Sequence, residues 1–141
     1  MSAATIRVST DKQQLDLPMI HRFLSEESYW AKGIPFSILR QAIELSLCFG
    51  LFQRDMQVGF ARVITDCATF GYLCDVFVLE PYRGQGLGRV LMEHVMAHPA
   101  LASLRRIVLV TGDAHFAVRE SWFSRACKTR TLHGAASPRT I

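Results

Sequence analysis

The chain has 141 residues, enough for one domain with a layered core, and it is 50% hydrophobic against 20% charged, which excludes a disordered polymer. Its net charge of +4 sits at one end: residues 1–113 hold eleven Lys/Arg and eleven Asp/Glu, and residues 114–141 hold five basic and one acidic. A neutral body lacks the basic patch that phosphate backbones require, so no nucleic-acid partner is expected.

In chain order, Thr5 to Ser9 alternates with β-branched residues and predicts a first, edge-like strand. Pro18 to Ser25 predicts a helix with proline in its first turn, followed by Glu26, Glu27, Ser28, Tyr29 and Trp30 before a break at Gly33. From Phe36 to Leu47 the positions Ile38, Leu39, Ala42, Ile43 and Leu47 fall on helical spacing and predict an inward stripe. Ser46 to Gln53 and Gln57 to Thr65, joined by Arg54-Asp55-Met56, predict an antiparallel hairpin in which Gly59 marks a bulge or a close approach.

Phe70 to Leu79 is a further extended run that Pro81 ends. Gly86 to His98 predicts a helix with Leu87, Val90, Leu91, Met92 and Val95 inward, stopped by Pro99, and Arg106 to Thr111 reads as a buried parallel strand. The class is therefore α/β or α+β, with a mixed, mainly antiparallel central sheet and flanking helices. One domain over 1–126 and an irregular basic tail over 127–141 are expected.

The four cysteines form no C-x-x-C pair, the first residues carry no basic-then-apolar leader, and the apolar runs fall far short of the ~18 residues that cross a bilayer. A reduced cytoplasmic protein without a membrane association is expected.

Chemistry concentrates in Val76 to Arg89, where Gly84, Gly86 and Gly88 lie between the end of a strand and the start of a helix. The first amides of a helix have no intrahelical partner and share the positive end of its dipole, so the pattern predicts an anion seat on Gln85, Gly86, Leu87, Gly88 and Arg89, bracketed by Arg83 and Arg89. A Walker loop is disfavoured because Arg89 and Val90 stand where Lys and Ser/Thr would be, and a dinucleotide fingerprint because the spacing is G-x-G-x-G.

Arg83-x-x-Gly86-x-Gly88 after Val76-Phe77-Val78 resembles the acyl-CoA pyrophosphate motif of the GNAT superfamily of N-acetyltransferases, and the element order from Thr5 to Thr111 is similar to that family's. Ser28 to Pro35 and Val58 to Val63 also look like segments of small GNAT proteins. The resemblance implies acetyl-CoA as co-substrate, a bulged strand whose backbone at Phe77 and Val78 meets the pantetheine arm, and direct acetyl transfer to an amine of a small molecule or a protein. Such chemistry calls for a base, and Asp75 is the acid in the central strand; the same residue also reads as a structural carboxylate at the bulge. Tyr29 and Trp30 are candidates for the acceptor pocket or for ordinary packing, and His115 for the cleft or for a turn.

The resemblance fails after His115. Val118 stands where the family places a tyrosine often implicated as general acid, no Tyr follows Tyr82, and the ending reads as replaced, with the family's last strands missing or altered. A catalytically impaired acyl-CoA-binding or interaction protein of the same fold is accordingly the rival reading. A strand left without its neighbours would expose an edge, for which pairing into a homodimer is the expected remedy. His94 and His98 have a zinc-protease spacing without the glutamate and read as a solvated helix face; no metal is expected. Cys74 reads as packing rather than as a nucleophile.

Overall fold

The extended segments form one five-stranded sheet in sequence order, β1-β2-β3-β4-β5, in a computed structural model that describes residues 5–109. The strands are β1 (Ile6–Ser9), β2 (Leu47–Gln53), β3 (Met56–Thr65), β4 (Phe70–Val78) and β5 (Arg106–Leu109). The first three pairings are antiparallel and β4–β5 is parallel, the mixed sheet that the sequence predicts. The 126/127 boundary, His115, Val118 and the departure from the family pattern lie outside the described residues.

Alternation along the strands sorts side chains to two faces. One face carries Phe49, Leu51, Ala61, Val63, Leu73, Val76 and Val78 and packs on α3 (Leu87–Ala97) and α4 (Pro99–Ala102). The other carries Cys48, Phe60 and Phe77 and packs on α1 (Leu17–Arg22), the π-helical turn Phe23–Glu27 and α2 (Phe36–Glu44). Phe23 stacks on Phe77 at 4.0 Å, which fixes the π-turn against the middle of the sheet.

Four local expectations are corrected. Helix α2 stops at Glu44, so Leu47 belongs to β2, and Ile38 is 51% exposed while only Leu39 and Ile43 are buried. The hairpin turn is two residues, with Gln53 opposite Met56 and Arg54 at φ +58°. Pro99 ends one helix and also opens the next, since its missing N–H costs nothing in a first turn. His98 is no solvated residue: it caps α4 by accepting from Ala100 N–H at 3.1 Å and packs edge-on against Phe49.

Gly59 is the close approach suspected from sequence. A Cβ there would lie 2.9 Å from Leu51 Cδ2 and 3.0 Å from the Phe77 carbonyl oxygen, so β3 admits no side chain between its two neighbours. The register of β2 against β3 slips beside it, between Leu51 and Phe52.

Candidate active site

The pairing of strand β4 with β3 slips at Asp75. Phe60 pairs with Phe77 and Arg62 with Cys74, so three steps on β4 face two on β3, and Asp75 takes a left-handed conformation at φ +53°. That geometry is a β-bulge on a residue with a Cβ, a conformation held only where the surroundings fix it.

The fixing groups are explicit. Asp75 Oδ1 accepts from Trp30 Nε1–H at 2.9 Å, and Asp75 Oδ2 accepts from Arg62 Nε–H at 2.9 Å. The pair is largely shielded, with the two side chains 15% and 8% exposed. Arg62 is itself held, because its Nη1 donates to Ser46 Oγ at 3.0 Å and that hydroxyl donates to the Ala42 carbonyl at the end of α2. Both oxygens of the carboxylate expected as base are thus engaged. Arg62 and Ser46 escaped the sequence reading; the only cue was a cation within a strand of otherwise apolar pattern.

Trp30 lies on a loop tied down at several points. Ser28 Oγ donates to the Leu24 carbonyl, Ala31 N–H donates to Ser28 Oγ, and His21 Nε2 lies 2.8 Å from the Ile34 carbonyl. Tyr29 is 56% exposed and meets Trp30 edge-on at 5.1 Å. The two aromatics expected at the acceptor pocket therefore adjoin the bulge through Trp30.

Cysteine nucleophiles are disfavoured beside it. Burial pushes the Cys74 thiol up to about 12 and the Cys48 thiol up to about 11, which keeps both protonated near neutrality. Burial likewise raises the Tyr72 hydroxyl.

Beyond the bulge, Leu79 N–H donates to the Val58 carbonyl at 2.8 Å. By ladder alternation the Gly59–Val78 pair is then of the non-hydrogen-bonded kind, and the N–H and C=O of Val78 face away from β3. Of the two residues expected to offer backbone groups, Val78 turns its N–H and C=O away from β3, whereas the Phe77 carbonyl turns toward β3. Arg83 Nε–H donates to the Val78 carbonyl at 2.7 Å, closing the chain back on the strand end.

The glycine loop follows. Gly84 and Gly86 have φ +78° and +81°, and a Cβ on either would meet nothing within 4 Å, so backbone conformation and not packing demands glycine there. Helix α3 starts without a side-chain cap, and its first turn closes with Val90 N–H to the Gly86 carbonyl, leaving the amides of Gly86, Leu87, Gly88 and Arg89 outside the helical ladder. Leu87 turns its side chain into the core, so only its amide serves the loop; Gln85 is exposed. Arg89 pairs with Glu93 at 3.2 Å on the surface.

Among the described residues no helix is long and apolar enough to cross a membrane.

Comparison with known proteins shows the family. The model of the Acetyltransferase (GNAT) family matches residues 17–121. A candidate acetyltransferase of Gibberella zeae is 36% identical over a 129-residue alignment that covers 75% of this chain and 71% of that protein. A crystal structure from Xanthomonas campestris, assigned to the GNAT family as a candidate acetyltransferase, is 46% identical over 94% of this chain and 97% of its own, with a TM-score of 0.77. A Mycobacterium tuberculosis protein solved in complex with CoA shares the fold at 16% identity, over 87% of this chain and 82% of its own, with a TM-score of 0.63.

Proposed function

The chain belongs to the GNAT acetyltransferase family, and from that premise we propose that it moves an acetyl group from acetyl-CoA directly to a primary amine of a small molecule or a protein. The observation that carries the reading is the uncapped start of α3 behind two left-handed glycines, directly beyond a bulged strand. The residues fit the co-substrate: open space over Gly84 and Gly86 admits phosphate oxygens to the amides of Gln85 to Arg89, where the helix dipole favours negative charge. Arg83 and Arg89 are exposed beside them.

Acetyl-CoA supplies the activated acyl group as a thioester. Val78 would offer its N–H to the arm that carries it, its carbonyl being already engaged by Arg83, and the bulge would turn the strand away where the acyl end must meet the acceptor. Tyr29 and Trp30 would wall the acceptor side, as an apolar surface that excludes water. Direct transfer suits the chain's own chemistry, since the thiol nearest the bulge, Cys74, stays protonated.

Calorimetry with acetyl-CoA tests the seat, and thiol release over a panel of primary amines tests the transfer. Saturable binding with turnover on at least one amine is expected. Binding without thiol release across the panel would favour the non-catalytic acyl-CoA-binding reading, and absence of binding would remove both.

A further inference from the structure

We infer that Arg62 and Asp75 act together as a positioning strut: Arg62, gripped by Ser46, clamps the Asp75 carboxylate, and the carboxylate sets the orientation of the Trp30 indole on the acceptor side. The inference rests on the transferase reading for what Trp30 faces, and on the structure alone for the strut itself.

Three features point to this role. Each Asp75 oxygen already accepts a hydrogen bond, one from Trp30 and one from Arg62, both at 2.9 Å. The carboxylate therefore does the work of a bracket between two elements 45 and 13 residues away in sequence. Arg62 is not a loose counter-ion, for its second nitrogen is fixed by Ser46, which hangs on the last turn of α2 through Ala42. The chain of contacts from α2 to Arg62, Asp75 and Trp30 ends on an aromatic pair whose outer member, Tyr29, is exposed. Finally, a left-handed residue is uncommon in mid-strand, and here both oxygens of its side chain are held, so the strut also braces the bulge.

The test uses the full chain with Asp75→Asn, Trp30→Phe, Arg62→Lys, and the charge-neutral double variant Arg62→Met/Asp75→Asn in case a lone Arg62→Met fails to fold. Acetyl-CoA affinity by calorimetry should stay within about threefold in Trp30→Phe, which leaves the Arg62–Asp75 pair and the glycine loop intact. Acceptor KM should rise about tenfold in Asp75→Asn and in Trp30→Phe, the loss of one charge-assisted hydrogen bond, with kcat nearly unchanged. The two substitutions combined should do little more than either alone, and Arg62→Lys should recover part of what the double variant loses.

A fall of about a hundredfold or more in kcat for Asp75→Asn, with loss of the acid limb of the pH–rate profile and a neutral Trp30→Phe, would overturn the strut and make Asp75 the base. If the wild-type chain binds no acetyl-CoA, the transferase reading fails and the strut is still decided by fluorescence. In a Trp122→Phe background, Asp75→Asn should make Trp30 emission more accessible to acrylamide; unchanged quenching would overturn the inference.

Discussion

The two ends of one short stretch, the bulge at Asp75 and the glycine loop at 84–88, are built on opposite plans. At the bulge a strained backbone is enclosed by side chains, and every polar atom of the carboxylate has a protein partner. In the loop the backbone is equally unusual, but it is exposed, and the amides at the start of α3 lie outside the helical ladder. The difference teaches where each region keeps its free energy. The bulge has bound its ligand already, in the form of Trp30 and Arg62, so disturbing it should cost stability. The loop presents its amides without packing a side chain over them, so on the proposed reading disturbing it should cost binding more than stability.

The largest effect expected from that contrast is on Arg62. Arg62→Met strands a shielded carboxylate without its cation, which should lower stability by about 3 kcal/mol and Tm by about 10 °C. Thermal unfolding of Arg62→Met beside Arg62→Met/Asp75→Asn checks this, the second being expected to regain much of the loss. A drop under about 2 °C in the single variant would mean the bulge is not held by this pair.

Gly86→Ala is the matching probe of the loop. At φ +81° an L-residue is disfavoured by about 1–2 kcal/mol, but no protein atom lies within 4 Å of the new methyl, so Tm should fall by only a few degrees. Acetyl-CoA affinity should fall about tenfold or more, because the methyl enters the space left over the amides. Greater damage to Tm than in Arg62→Met, or untouched affinity, would invert the comparison.

How each region could be read from sequence follows from the same contrast. The loop announces itself because its requirements are local: left-handed turns demand glycine at fixed positions, and a strand before and a helix after give the context. The strand read over Phe70 to Leu79 and the helix read over Gly86 to His98 are legible for the same reason, the first as a continuous extended run ended by Pro81 and the second by helical spacing, and they occur as Phe70–Val78 and Leu87–Ala97. The bulge cluster depends on Trp30 and Arg62 meeting Asp75 across the fold, and no local pattern encodes such a meeting. Ile38 departs from expectation because helical spacing marks a stripe without saying how far a neighbour covers it.

Arg83 lies between the two plans. Its Nε–H closes on the Val78 carbonyl, a structural bond, while its side chain borders the exposed loop. If the bond to Val78 is what matters, Arg83→Gln, which keeps an N–H donor without the charge, should bind acetyl-CoA within about threefold of wild type, and Arg83→Met should lose about fivefold. If phosphate contact matters more, both should weaken alike, and the salt dependence of Kd should flatten in both. Calorimetry at two ionic strengths separates the outcomes.

The smallest effect tests whether exposure or satisfaction distinguishes the regions, using a turn that is exposed and yet fully partnered. Asp66 accepts from the backbone N–H groups of Ala68, Thr69 and Phe70 and from the Thr69 hydroxyl. The Thr69 amide foremost, then the Thr69 hydroxyl and the other amides, hold its carboxyl well below the usual carboxylate range. Since the folded value lies below the unfolded value of about 3.9, this carboxylate's contribution is complete above the unfolded value and is lost as pH falls through the folded one. Asp66→Asn should therefore be slightly less stable than wild type at pH 7, and the gap in Tm should narrow as the medium is acidified below about pH 4. Parallel Tm curves from neutral to acid would show that a full set of partners at an exposed site contributes no pH-linked stability. Burial, and not satisfaction, would then be what makes the Asp75 bulge rigid.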